Sequence, residues 1–315
     1  MPNNRQRTGL VAIDMFYLRL GHTSKLIIFS IVVLIHSSAY ATDNEVNITC
    51  KRIASKLASI SLSECLERNL RTSTSYSENN TPLLIKEYPP LGSREPQARI
   101  LLLGGIHGDE YSSVTIMFKW MSILDKHHSG LFHWKVAPLI NPDGLLRRKS
   151  QRMNANGVDL NRNFKNGIND NAGLQYWQKY TNSDPRRYPG KKPMSEVETQ
   201  WMHQLITEFR PDAIVAVHAP YGIVDFDGPP KPPTHLGPLH LHLLGTYPGS
   251  LGNFAGEQLD IPVVTVELPY AGIMPSEQEV SRIWIDLIRW LKGNVPKDET
   301  RKSRQIAIKN SLLDD

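Results

Sequence analysis

Short apolar runs alternate with longer segments of helical period from about residue 81 to about residue 292. The clearest runs are residues 98–103, 135–140, 213–217 and 262–268. They are too short for helices and rich in Val, Ile and Leu, which predicts strands buried in a sheet. A helix is predicted over about 112–127. A second opens at Ser195-Glu196-Val197-Glu198, a capping-box pattern, and runs towards Phe209, stopping before Pro211. A third is capped by Ser276 and Glu279 and carries Ile283, Trp284, Leu287, Ile288 and Leu291 on its apolar side. The segment Asn141-Pro142-Asp143-Gly144 reads as a turn. Alternating strands and helices predict an α/β fold: a mixed, mostly parallel sheet with helices on both faces. The catalytic domain is expected over residues 81–300. Before it, residues 42–80 read as a small, mainly helical segment ending in the polar stretch 71–80, and residues 301–315 read as a polar tail.

The N-terminal pattern differs again. The cations Arg5, Arg7, Arg19 and Lys25 precede Leu-Ile-Ile-Phe-Ser-Ile-Val-Val-Leu-Ile at 26–35, and Ala39-Tyr40-Ala41 follows with small residues. That order predicts a signal peptide over 1–41 and a periplasmic or secreted product. The apolar run is short of the roughly 20 residues a membrane span needs, so contact with a membrane is expected only if the segment stays uncleaved. The net charge of +5 becomes +2 without it, and the rest of the chain carries no basic footprint for nucleic acid. Export also gives the two cysteines, Cys50 and Cys65, a meaning, because an oxidising compartment permits a disulfide. They are too far apart along one straight helix, so a bridge requires a helical hairpin turning around residues 58–63.

Polar residues at the ends of the apolar runs carry the chemistry. His107 and Glu110 follow 98–103 across Gly104-Gly105, His218 ends the run 213–217, and Glu267 sits near the end of 262–268. Taken singly, each has a bland explanation: a solvated surface pair, a satisfied buried histidine, a carboxylate in a salt bridge. Together they form the two-nitrogen, one-carboxylate set that holds one catalytic Zn2+ and leaves a position open for water, with Glu267 as proton acceptor. In open α/β sheets such residues meet at the carboxyl ends of strands. Asp109 either orients His107 or faces water. Arg152 suits a developing oxyanion, and Arg162 with Asn161 suits a substrate carboxylate. The histidines His235, His240 and His242, in and after the Pro-rich loop 228–238, raise a second metal site, but no acidic or cysteine partner accompanies them in sequence; the loop is expected at the mouth of the site.

The segments GGIHGDE, INPDGLLRRKSQRMNANGVDLNRNF, VAVHAP and VVTVELP, spread over residues 101–268, resemble the zinc carboxypeptidases of the carboxypeptidase A type, and within them the bacterial murein peptide amidase branch. The resemblance implies that His107, Glu110 and His218 are zinc ligands and that Glu267 is the general acid/base. It implies that Arg152 stabilises the oxyanion, that Asn161 and Arg162 grip the carboxylate of the released residue, and that Tyr247 is the mobile tyrosine over the substrate. It implies a murein peptide or another peptide as substrate, with the bond between D-glutamate and diaminopimelate as the expected target. Other readings stay open: a general peptide carboxypeptidase releasing C-terminal L-amino acids, an N-acyl amino acid deacylase, or a cell-wall binding protein that keeps the fold without activity.

Overall fold

The computed structural model describes residues 43–93 and 95–295. The expected signal peptide and the polar tail lie outside the described residues. Helix α1 (43–56) and α2 (Leu62–Glu67) come first. They are followed by β1 (Arg71–Tyr76), β2 (Pro82–Tyr88), β3 (Ala98–Leu103), α3 (Tyr111–His127), β4 (Phe132–Ala137), α4 (Pro142–Leu146), α5 (Ala172–Tyr180) and α6 (Val197–Phe209). Then come β5 (Ala213–His218), β6 (Ile223–Asp227), β7 (His235–Leu236), β8 (Leu239–Leu241), β9 (Val263–Glu267) and α7 (Glu277–Asn294). The strands form one nine-stranded sheet in the order β1-β2-β4-β3-β5-β9-β6-β8-β7.

The centre, β4-β3-β5-β9, is parallel, while β1 and β2 on one margin and β6 and β7 on the other run antiparallel to a neighbour. The sheet is mixed as expected but not mostly parallel: its parallel pairs are confined to the middle and to β6–β8, and the margins pair antiparallel in equal number. The near-continuous aliphatic runs explain that placement, because only a strand covered on both faces can be apolar at every position. Ile100 and Leu102 of β3, with Val215, Val217, Val264 and Val266, face α3 and α7; Leu101 and Leu103, with Ile214 and Val263, face α6. Trp284 of α7 lies 5.3 Å from both Trp120 of α3 and Trp134 of β4, which closes the first of these layers.

Three local expectations change. The sheet begins ten residues earlier than residue 81: the polar stretch 71–76 is strand β1, an edge strand whose residues are exposed or half-exposed on both faces and so lack the apolar alternation that marks a strand. Residues 42–80 are therefore more than a helical prelude, since β1 joins the sheet and Val46, Ile53, Leu57 and Ile60 join its core. At α6 the capping box does not form. The Ser195 hydroxyl donates to Glu196 instead, and the Asn154 amide donates to Glu196 at 2.7 Å and to Glu198 at 3.2 Å. The box at Ser276 and Glu279 forms as expected.

The α1–α2 hairpin turns through residues 57–61 and brings Cys50 and Cys65 into a disulfide with Cα atoms 5.6 Å apart. It also braces the catalytic half of the molecule: Lys56 donates to the carbonyls of Arg147 and Arg148, and Ser59 bonds Thr115 of α3. The bridge closes a loop with a sequence separation of 15. Loop entropy then predicts that replacing both cysteines by serine lowers the unfolding free energy by roughly 3 kcal/mol. The expected reading is a lower denaturant midpoint, and an unmoved midpoint would show that the bridge adds nothing.

Candidate active site

Backbone close approach shapes the turn after β3. Gly105 has φ +61°, and a Cβ on Gly108 would lie 2.2 Å from the carbonyl carbon of Gly144. This tight path lets His107 turn inward and makes Glu110 the residue immediately before α3. His218 ends β5 and Glu267 ends β9, and the two are directly paired in the parallel ladder. Three strand ends thus deliver the residues to one crevice, as the topology of such sheets favours.

His107, Glu110 and His218 are all buried, and their ligand atoms lie within 4.8 Å of one another, the only such group of His, Cys, Asp or Glu among the described residues. His107 Nδ1 is 2.8 Å from Glu110 Oε1, His218 Nδ1 is 3.1 Å from Glu110 Oε2, and the two Nδ1 atoms are 3.1 Å apart. On the far side of its ring, His107 Nε2 lies 3.1 Å from an oxygen of buried Asp159. With the Nε2 proton committed to that carboxylate, the Nδ1 lone pair faces the Glu110 carboxylate, an arrangement that needs a cation between them. The same need appears in the titration. Burial and Arg152 oppose charge on His107, yet Glu110 and Asp159 outweigh them and raise its pKa; burial of Glu110 is likewise outweighed, by His107 and His218, which hold its carboxyl well below the usual range. Ligands at 2.0–2.2 Å around a tetrahedral ion sit about 3.3–3.6 Å apart, a little wider than the 2.8–3.1 Å spacings of these donor atoms, so the donor set fits zinc.

Asp159 is the residue that sequence reasoning missed, and Asp109 is not its substitute. Asp109 pairs with Arg186 at 2.9 Å, whereas Asp159 holds both His107 and Arg152, the latter through Nε and a second guanidinium nitrogen, each at 2.9 Å. The signal was present: Asp159 opens the Asp-Leu-Asn-Arg segment, and its side chain also accepts from the Asn161 N–H at 3.0 Å, so it shapes the turn that presents Asn161 and Arg162. Arg152 is set 3.1 Å from His107 Nδ1 and 3.5 Å from Glu110, beside the cation position. Asn154 ties this loop to α6: its side-chain oxygen accepts from the N–H groups of Asn156 and Val158 while its amide bonds Glu196 and Glu198.

Asn161 accepts from the Leu251 N–H at 2.8 Å, which leaves its amide donor for the cleft. The Arg162 guanidinium lies 4.2 Å from the centre of the Tyr247 ring. The cleft that these residues share with the three strand ends encloses about 380 Å³ and is lined also by Arg186, Arg187, Asp225 and Asp227. His107, Glu110, Arg152, Asn161, Arg162, His218, Tyr247 and Glu267 all line it, with Asp159 behind them. Glu267 is 7 % exposed, and its Oε2 atom has no hydrogen-bond partner. Burial raises its pKa against the pull of His218. The Pro-rich loop behaves differently from expectation. It packs on α7, with Gly237 N–H on Asp286 and the Trp290 indole on the Lys231 carbonyl, and none of its residues lines the cleft, which the chain reaches again from Leu244 onward. His235 and His240, 6.4 Å apart between ring centres, belong to no metal-holding group among the described residues.

The family model for zinc carboxypeptidases matches residues 68–223. Murein peptide amidase A of Escherichia coli strain K12 is 32 % identical over 232 residues, covering 68 % of this chain and 86 % of that protein. Murein peptide amidase A of Vibrio campbellii is 32 % identical over 209 residues, covering 64 % of this chain and 80 % of that one. Among solved structures, thrombin activatable fibrinolysis inhibitor matches with a TM-score of 0.55 at 17 % identity, covering 74 % of this chain and 71 % of that one, a likeness of fold alone. With a donor set that fits zinc at the carboxyl ends of three strands, this chain belongs to the zinc carboxypeptidase family and is a hydrolase.

Proposed function

We propose that this hydrolase is exported and acts as a murein peptide amidase, cutting the amide bond between D-glutamate and diaminopimelate. One observation carries the reaction type: a three-ligand site, a buried carboxylate with a free oxygen, and an arginine–asparagine pair line one cleft. The likeness to murein peptide amidases supports the substrate class, and the N-terminal pattern supports export.

His107, Glu110 and His218 would hold one zinc ion, and the chemistry a bound zinc supplies is Lewis acidity towards a carbonyl and a lowered pKa for water. The free Oε2 of Glu267 accepts the proton of the attacking water and passes it to the departing amine nitrogen. Arg152, fixed by Asp159, donates to the carbonyl oxygen as negative charge gathers there. Arg162 and Asn161 bind the carboxylate of the residue to be released, a task for which a planar guanidinium offers two parallel donors. Tyr247, whose ring lies against the Arg162 guanidinium, would close over that carboxylate. Asp159 orients His107 and Arg152 at once, so the metal position and the oxyanion position are set by one carboxylate.

The test is to incubate the zinc-loaded protein with L-Ala-γ-D-Glu-meso-diaminopimelate and, separately, with a peptide ending in an ordinary L-residue, reading products by mass spectrometry. Free diaminopimelate from the first alone is expected. Release of the L-residue alone would retain the hydrolytic chemistry and discard the murein assignment. No product from either would remove the amidase and carboxypeptidase readings together.

A further inference from the structure

The stretch that supplies Arg152, Asp159, Asn161 and Arg162 is irregular apart from the short turn Leu160–Arg162, so its path is fixed from outside. Two fully buried asparagines provide the fixing, one near each end. Asn154 follows closely on Arg152, and Asn163 comes directly after Arg162. Both reach the same segment, Ser195-Glu196-Val197-Glu198, where α6 begins.

At the first end the Asn154 amide donates to Glu196 Oε2 at 2.7 Å, and the Asn156 amide joins it there at 2.9 Å. At the second end the Glu196 N–H donates to the Asn163 side-chain oxygen at 3.2 Å. The Asn163 amide donates to the Ser195 hydroxyl at 3.0 Å, and that hydroxyl donates to Glu196 Oε1 at 2.6 Å. Glu196 therefore bonds both ends of the loop 154–163.

We propose that Glu196 is a positioning residue for the active site: through Asn154 and Asn163 it sets the loop 154–163, and with it the places of Asp159 behind His107, of Asn161 and Arg162, and of Arg152 just before the loop. The inference goes beyond the proposed function, since it concerns how the zinc ligands and the anion-binding side chains are held, whichever bond is cut.

Several features support it. Glu196 is buried, and the groups that donate to its oxygens are two amides and a hydroxyl, all neutral, so placing a carboxylate there costs free energy that the N-terminus of α6 offsets in part. No side chain caps α6; Ser195 and Glu196 are turned to the loop instead, which forgoes the stability of a cap. The second end is also closely enclosed. Gly190 has φ +89°, and a Cβ there would lie 2.7 Å from both the Asn163 amide nitrogen and the Ser195 hydroxyl. The same amide donates to the carbonyls of Pro189 and Lys192. Glu198 has a lesser part. It accepts from Asn154 at 3.2 Å, and its Oε1 has no partner. Burial, with Asp143 and Glu196 nearby, pushes Glu198 up to about 7 against the pull of Asn154.

The test is the zinc affinity of the full chain, read by competition with a chromogenic chelator. Glu196→Ala is expected to weaken zinc binding about tenfold, through the loop and Asp159 to His107. Glu196→Gln should stay within about threefold of the parent, because its amide oxygen can face both asparagines while the Ser195 hydroxyl accepts from its NH2. Glu198→Gln should also stay within about threefold, since a carboxamide replaces a carboxyl group that is largely neutral near pH 7. In an Asp159→Asn background the path to His107 is already cut, and there Glu196→Ala should add less than about threefold. A residue that merely stabilised the fold would still exert its whole effect in that background. Near-ultraviolet circular dichroism shows whether the variants fold. Should Glu196→Ala not fold, Glu196→Asp, which draws the acceptors back by one carbon, takes its place with a loss of at least about threefold expected. Unchanged affinity in these variants, Glu196→Gln as weak as Glu196→Ala, an equal loss in Glu198→Gln, or a full loss added to that of Asp159→Asn would each overturn the proposal. Because no substrate enters, failure to cleave the murein tripeptide would sink the amidase reading and leave the role of Glu196 standing.

Discussion

Glu267→Gln is expected to reduce kcat by about a thousandfold, within the 10² to 10⁴ range of general acid–base catalysis, while the protein still takes up one zinc ion and still binds substrate. The substitution keeps the size of the side chain and its place at the end of β9, opposite His218. What it removes is the ability of the unpartnered buried oxygen to accept a proton. A carboxamide at the same point can donate or accept a hydrogen bond but cannot carry the proton from water to the amine. Steady-state kinetics with metal analysis on the same sample is the check. A kcat within a few-fold of the parent would remove Glu267 from the mechanism. A loss of zinc in parallel with activity would make it a structural support of the metal position instead.

The second large effect is expected from His218→Ala. With one of three ligands gone, zinc content should fall from one ion per chain to a small fraction of that after dialysis against a weak chelator, and hydrolysis should fall to background. The loss follows from the geometry around Glu110. Its Oε2 is shared between His218 at 3.1 Å and the Ala219 N–H at 3.2 Å, and its Oε1 faces His107, so the carboxylate is placed by both rings. Removing one ring leaves a buried anion with half its support as well as an incomplete ligand set. Full zinc occupancy in the variant, measured by atomic emission, would mean that the ion is held elsewhere.

Much of this site is legible in the sequence because its residues sit where a period breaks. His107, His218 and Glu267 each stand at the end of an aliphatic run, where a charged or polar side chain is conspicuous. Asp159 is harder to see because it lies in an irregular segment rich in Asn and Arg, and only the fold shows that its carboxylate meets His107 across 52 positions of sequence. Asp225 and Asp227 alternate with Val224 and Phe226 on a short strand, a pattern that on its own is that of a half-exposed margin. Asp225 is nevertheless buried and Asp227 half-buried, and the π-helical turn Gly252–Gln258 packs Gly252 and Gly256 against Asp227, a tertiary fact. Strand β1 and the unformed capping box at Ser195 escape the pattern for different reasons: edge strands need no apolar face, and of the two side chains that would cap α6, Ser195 donates to Glu196 and Glu198 is taken by Asn154.

The pairing of His218 with Glu267 across β5 and β9 ties chemistry to folding fidelity. A one-residue slip of β9 would send Glu267 to the opposite face of the sheet and bring an aliphatic neighbour into its place, because side chains alternate strictly along a strand. No partly misregistered molecule can therefore be partly active. Specific activity per bound zinc becomes a count of correctly annealed molecules, and a refolded preparation can be graded by that ratio alone.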